Sequence, residues 1–293
     1  MSAPLDPLWA AALGPRVPVA SWSVREGDRV LAVHEPERMF SSASMIKTFV
    51  LAIALAGVEA GELGLEDGVE AGEHDRAAGD GVLGLLELPL TLPLGALLRL
   101  MVSVSDNTAT NVVVRVLGGP PAVNDRLGAW GLRSRLHRLV ERAGPPSAPA
   151  GLGRVSLAEH ERLLARLACG DLLPRLGPWA LEALAGQQDR RALARLLAAD
   201  AWFAHKTGTV DDVRHDAGLL RAGGRELLVG CFTAGGPQHE WPDHPACLGM
   251  AVAMAWTAEL LDLPVLGAPE LPPLPAESAA RARAALGPRA PHP

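Results

Sequence analysis

Cysteine is scarce in this 293-residue chain, which holds only Cys169, Cys231 and Cys247. They show no C-x-x-C spacing, and an odd, sparse set makes no disulfide framework. Long apolar runs are missing too. The longest candidate, Phe49 to Val58, falls well short of the roughly 20 residues that a membrane-spanning helix needs. Near the start, Asp6 stands where a secretion signal carries basic residues, and Pro15 interrupts the short apolar run. The chain as written is therefore expected in the cytoplasm, or in the periplasm or outside the cell if a signal has been removed. There is no basic excess: 27 Lys+Arg face 33 Asp+Glu, which argues against nucleic acid as the main partner. The most basic stretch, Arg126 to Arg142, has Glu141 and several leucines mixed in, with Asp125 just before it, and reads as a solvated face. G-x-S-x-G, P-loop and H-E-x-x-H motifs are all absent. His239 and His244, in HEWPDH, lack a third ligand and suit a surface turn better than a metal site. No metal, cofactor, nucleic acid or membrane partner is expected, and the chain is expected to be a monomer.

With 48% hydrophobic residues the chain can bury a substantial core. VPVASWSVREGDRVLAVHEP alternates around Glu26-Gly27-Asp28 and predicts a β-hairpin. Next come an apolar helix from Phe49 to Val58 and a Gly-rich, acidic stretch, Gly61 to Gly84. TLPLGALLRLMVSV predicts a helix with Thr91 as N-cap, and NTATNVVVRVLGG another, closing on Gly118-Gly119. Ala143 to Gly153 is a Pro/Ala/Gly loop, and Ser156 with Glu159 forms a capping box for a further helix. Three strands follow in AWFAHKTGTV, RHDAGLLRA and RELLVGCFTAGG, then an apolar helix from Pro245 to Asp262. Strands from both chain ends enclosing a helical middle predict one α/β (α+β) unit over 1–293. Its α/β part is 1–38 and 195–265, its all-α part 39–194, and 266–293 is a Pro/Ala-rich tail expected to be mobile.

Lys47 sits one turn into the most apolar helix, where an ammonium is costly to desolvate. Ser44 is three residues earlier, a neighbour on one helix face. A serine opening a helix has its own N–H aimed outward at the positive end of the dipole, ready to stabilise an oxyanion. Burial or a second cation lowers the lysine's pKa from about 10.4, and a neutral amine can take the serine proton. S-x-x-K alone occurs in many unrelated chains. Here two further motifs accompany it: Ser105-Asp106-Asn107 at a helix junction, and Lys206-Thr207-Gly208 on a strand.

The three motifs, in this order, resemble the set of class A β-lactamases and penicillin-binding proteins. The resemblance spans about Val17 to Leu263. It includes the helix pair with its Gly-Gly-Pro connection and the strand–turn–strand bearing Arg214. GVL, before S-D-N, echoes β-lactamase-related serine hydrolases. The fold it implies is β-lactamase/transpeptidase-like, an antiparallel sheet from both chain ends with an inserted helical subdomain. The activity it implies is hydrolysis of a β-lactam, or of a related ester or amide carrying a carboxylate, through an acyl-serine. The alternatives are an esterase or D-Ala-D-Ala-carboxypeptidase-like hydrolase with weak or no β-lactam turnover, and a penicillin-binding or sensing module that stays acylated. Ser44 would be the nucleophile, Lys47 its proton acceptor, and Ser105 the donor to the leaving group. Asn107 would hold the substrate's amide, and Lys206 would keep the site cationic. Thr207, Gly208 and Thr209 would bind substrate, with the N–H groups of Ser44 and Thr209 as the oxyanion hole. Arg214 would grip the carboxylate, although the turn before it is one residue shorter than the family's.

One element of the family is out of register. The R-x-E whose glutamate activates the deacylating water meets HRLVERAGPPSAP, where Val140 follows Arg138 at the expected place. Glu141 comes one residue late. Two readings stay open: a shifted loop turning Glu141 into the site, or an exposed glutamate without a role.

Overall fold

The computed structural model describes residues 3–142, 151–237, 243–264, 266–267 and 272–286. A short helix, α1 (Asp6–Leu13), precedes the expected hairpin of β1 (Val19–Glu26) and β2 (Arg29–His34), whose turn uses Gly27 at φ 55°. β3 (Met39–Ser41) leads through a 3-10 turn, Ala43–Met45, into α2 (Ile46–Glu59). β4 (Gly68–Ala71) and β5 (Leu90–Pro93) pair with each other, and α3 (Leu94–Ser103), α4 (Asn107–Val116) and α5 (Gly119–Ala129) follow. Then come β6 (Arg135–Leu136), β7 (Gly153–Ser156), α6 (Leu157–Ala168) and α7 (Gly177–Ala185). The chain returns through β8 (Phe203–Val210), β9 (Val213–Ala222) and β10 (Arg225–Ala234), and ends in α8 (Pro245–Leu260) and α9 (Ala276–Leu286).

Strands from both chain ends form one five-stranded sheet in the order β2-β1-β10-β9-β8, antiparallel throughout. Strand alternation divides its side chains between two cores. Phe203, Leu220, Val229 and Cys231 pack with residues of α1 and α8, while Ala204, Ala217, Leu219 and Phe232 join the helical part around α2. Helices on both faces of an antiparallel sheet, with a helical insertion, are the arrangement that the resemblance implies. α2 is apolar on every side, and all of Ile46 to Leu55 is buried, as such a pattern requires. Among the described residues no helix is long and apolar enough to cross a membrane. All three cysteines are free.

Four local expectations change. Thr91 does not cap α3: it pairs with Glu70 in the β4–β5 ribbon, and the amides of Leu94 and Gly95 find the carbonyls of Asp67 and Leu65 at 2.9 and 2.8 Å. Main-chain acceptors have made a side-chain cap unnecessary. Only half of the capping box forms. Ser156 accepts from the Glu159 amide, but the Glu159 carboxylate turns away to the amides of Arg133 and Ser134, each 2.8 Å. The tail contains α9, whose Ala279 and Ala282 are buried against the outer core, so small apolar side chains dock it where composition predicted mobility. His244 is buried rather than on a surface turn; it caps α8 by accepting from the Ala246 amide at 3.1 Å. His239 and most of the Ala143–Gly153 loop lie outside the described residues, among which no metal-binding cluster occurs.

Candidate active site

Ser44 lies in the 3-10 turn ahead of α2, just after Ala43, which takes φ 41°. A left-handed alanine carries strain, and it persists because the neighbours over-determine it. The Ser42 amide is held by the Gly153 carbonyl at 2.9 Å, and Met45 and Ile46 are fully buried. The turn also needs Gly208. A Cβ there would lie 3.0 Å from Met45 Cγ, 3.2 Å from Ala43 Cβ and 3.3 Å from the Ser44 nitrogen. Glycine is what lets β8 run against the Ser44 turn.

Lys47 is fully buried, and its Nζ donates to the Ser105 carbonyl (2.6 Å), Ser105 Oγ (3.0 Å) and Asn107 Oδ1 (2.7 Å). Ser105 Oγ in turn donates to Ser44 Oγ at 2.9 Å. Lys47 therefore reaches Ser44 through Ser105, where the i, i+3 spacing predicted direct contact. The difference has two causes. Ser44 belongs to the tighter turn rather than to α2, and Ser105 adopts φ 57°, turning both its carbonyl and its hydroxyl toward the amine. Asp106 fixes that backbone. Its Oδ1 caps α4 through the Ala109 amide (2.8 Å), while its Oδ2 takes the amides of Val82 and Leu83, each at 2.7 Å. Asn107 spans the site, donating from Nδ2 to the Ala78 carbonyl at 2.7 Å.

Burial lowers the Lys47 pKa well below the ordinary lysine value, with the Lys206 charge adding to the effect and Asp80 and Asp106 opposing it. Lys206 is itself fully buried and lowered to about 8, chiefly by desolvation, with Asp189, Asp216 and Asp80 holding it up. Its Nζ donates to the Thr207 carbonyl at 2.9 Å. β8 is the edge of the sheet, and the Arg221 amide bonds the Trp202 carbonyl at 3.2 Å. Antiparallel alternation from that pair leaves the amides of Thr207 and Thr209 on the open edge, toward Ser44. The Thr207 hydroxyl binds Asp189, whose carboxylate is also held by Arg191 at 2.7 and 2.8 Å.

Two grooves meet at Ser44, Asp80 and Thr209. The larger, about 870 Å³, runs between Gly79, Val140 and Asp211; the other, about 680 Å³, is bordered by Ser105, Asp189, Arg191 and Thr207. Arg214 lines neither. It sits on β9, one strand in from the edge, and its Nη1 donates to the carbonyls of Asp211 and Val213, each at 2.7 Å. The short turn supplies those carbonyls, so the guanidinium folds back on it.

Val140 stands where the resemblance leads one to expect a glutamate. Its amide donates to Asn111 Oδ1 (2.9 Å) and its carbonyl accepts from Asn111 Nδ2 (2.8 Å). Glu141 borders the larger groove in an ion pair with Arg138, and its carbonyl accepts from the Ala78 amide at 2.9 Å. Asn111 was missed from the sequence, although it lies one helical turn after Asn107, on the same face of α4. Asp80, Asp189 and Arg191 were missed because they lie outside the motifs. No histidine among the described residues hydrogen-bonds Ser44. His160 and His215 are buried and lowered by desolvation to about 3 and about 4, so both stay neutral near neutral pH.

The family model described as "Beta-lactamase enzyme family" matches residues 10–251. A β-lactamase from Sphaerobacter thermophilus superposes with TM-score 0.77 at 27% identity, covering 86% of this chain and 95% of that one. PBP-A gives TM-score 0.72 at 22% identity, covering 86% and 96%, and a variant of it was solved as an acyl-enzyme complex with penicillin G. A β-lactamase from Xanthomonas campestris gives 0.75 at 21% identity, covering 86% and 98%. The last two likenesses speak for the fold. No curated protein sequence matches the chain.

Proposed function

Starting from the fact that this chain belongs to the beta-lactamase enzyme family, we propose that it cleaves a β-lactam, or a related amide or ester bearing a carboxylate, through an acyl-enzyme on Ser44. The observation that carries this reading is the chain of contacts from Ser44 Oγ to Ser105 Oγ (2.9 Å) and on to Lys47 Nζ (3.0 Å). A neutral Lys47 keeps two N–H groups for the pure acceptors, the Ser105 carbonyl and Asn107 Oδ1, and turns its lone pair to Ser105 Oγ. With the Ser105 hydroxyl rotated from Ser44 Oγ to the amine, Ser44 passes its proton to Ser105 Oγ as the Ser105 proton moves to Lys47, and Ser44 Oγ attacks the carbonyl carbon. The oxyanion takes the N–H groups of Ser44 and Thr209. When the tetrahedral species collapses, Ser105 returns a proton to the departing nitrogen or oxygen and is refilled from Lys47. Lys206 and the Thr207 and Thr209 side of the edge strand attract the carboxylate, a task that Arg214 is poorly set to perform. Asn107 retains one amide proton for the substrate.

Val140 supports a second reading within the same chemistry: the acyl-enzyme forms readily and hydrolyses slowly, as in a penicillin-binding or sensing module, or in an esterase with weak β-lactam turnover. A chromogenic cephalosporin and a p-nitrophenyl ester, run side by side with intact-mass and peptide mapping, test both. Acylation at Ser44 is expected with either reagent. An adduct on another serine or on a cysteine would refute the assignment. Turnover without a burst would refute slow deacylation.

A further inference from the structure

The junction of the two grooves holds a carboxylate, Asp80, that makes no hydrogen bond to the acylating groups, although its charge acts on Lys47 and Lys206. Asp80 is exposed, lines both grooves beside Ser44, and among the described residues has no hydrogen-bonding or ion-pairing side-chain partner. Its backbone is fixed. The Asp80 carbonyl accepts the Asn107 amide at 2.9 Å, and Asn107 Nδ2 and the Glu141 carbonyl grip Ala78 from both sides. Next door, Gly81 stands at φ 112° with Asp106 so close that a Cβ would lie 2.4 Å from its Cγ. A side chain presented from so constrained a segment loses little backbone freedom on meeting a ligand. Asp211 and Asp212, in the β8–β9 turn, also line the larger groove, and the one arginine among its described lining residues, Arg138, is paired with Glu141. On the other side, Lys206 lies buried behind Thr207. Charge around Ser44 is thus divided: Lys206 is buried behind the β8 edge, whereas the Asp80 carboxylate is exposed in the groove.

We propose that Asp80 is a specificity-determining residue that recognises a protonated amine on the substrate, so that the preferred acyl donor is zwitterionic. Its carboxylate lies toward Lys206 and Thr207, and its ammonium toward Asp80. This rests on the acyl-serine reading, and the experiment separates the two. The p-nitrophenyl esters of 6-aminohexanoate and heptanoate are near-isosteric and differ in an ammonium for a methyl. The ratio of their kcat/KM values is measured in the wild type, Asp80→Asn and Asp80→Glu, at low and high salt. The expected result is a wild-type preference for the aminohexanoate of about fivefold at low ionic strength, shrinking with salt, abolished by Asp80→Asn and largely restored by Asp80→Glu. A ratio near one in the wild type overturns the proposal. So does a fall of both esters by one factor in Asp80→Asn, with or without a shifted pH profile, because the carboxylate then serves the lysines or the water instead of the substrate. If neither ester acylates Ser44, the acyl-serine reading fails first and the inference with it.

Discussion

Replacing Val140 by glutamate isolates the deacylation step. Val140 is half-buried on the wall of the larger groove, and Asn111 clamps it through main-chain atoms alone, at 2.9 and 2.8 Å. A glutamate at this place keeps both bonds, and its half-exposed carboxylate stays solvated, so the cost to the fold is about 1 kcal/mol or less. What it adds is a base beside the acyl carbonyl. Positioned general bases contribute about 10²–10⁴ in rate, which at 1.36 kcal/mol per tenfold is about 2.7–5.4 kcal/mol of barrier. The proposed acylating groups Ser44, Lys47 and Ser105 are untouched. In stopped flow with a chromogenic cephalosporin, the wild type should give a burst equal to the enzyme present and then a slow steady phase. Val140→Glu should keep the burst rate and raise the steady phase by about 10²-fold or more, until acylation limits turnover. Intact mass should show a persistent adduct in the first case and a transient one in the second. If the steady phase is unchanged while the adduct forms normally, residue 140 does not face the attacking water, and the reasoning fails.

Other perturbations address acylation. Lys47→Arg should reduce the burst rate by about 10²-fold or more with the secondary structure retained by circular dichroism, because arginine keeps the charge and cannot act as a base; an intact burst would remove Lys47 from the proton path. Gly208→Ala should cost about 1–3 kcal/mol by overpacking against Ala43 and Met45, and should slow acylation by about 10²-fold as the Ser44 amide is displaced. Thermal melts and burst rates read the two effects separately, and wild-type acylation would refute the close-approach argument. Lys206, lowered to about 8, loses its charge as pH rises through that value. For a carboxylated substrate, kcat/KM should therefore fall above about pH 8, while a neutral ester should lack that limb. The stability effect has the opposite direction: the unfolded lysine still holds its proton up to about 10.4, so the native state binds fewer protons in that window, and stability gains from this group between about pH 8 and 10.4. Denaturant midpoints across that window check the sign.

The candidate site was legible in the sequence because it resides in residue types at short spacing. Ser44 with Lys47, Ser105 with Asn107, and Lys206 with Gly208 each sit within one local element, and the fold had only to bring three elements together. What escaped was backbone conformation. Nothing in VSVSDN announces that Ser105 is left-handed, yet that φ inserts its hydroxyl between Lys47 and Ser44. Thr91 read as a cap because its type favours caps, whereas the carbonyls of Leu65 and Asp67 had already satisfied the first amides of α3. Arg214 was closer to reach. A two-residue turn at Asp211-Asp212 sets Arg214 opposite Thr209, on the face of the sheet away from Lys206, and strand alternation alone yields that answer once the turn is counted.

Asn111 bears most directly on how this site divides its labour. Holding residue 140 by its amide and carbonyl, it makes the course of the loop independent of the side chain there. An amide that gripped a glutamate's carboxylate would tie fold and catalysis together, so that loss of the base would also loosen the wall of the groove. Here the wall stands with valine in place, and Arg138 and Glu141 complete it by pairing with each other. The proposed acylation path runs through α2, the Ser105 junction and β8, whose hydrogen bonds do not involve residue 140. The lifetime of an acyl-enzyme can therefore be set at one position without disturbing its formation, which is the separation that Val140→Glu is designed to read.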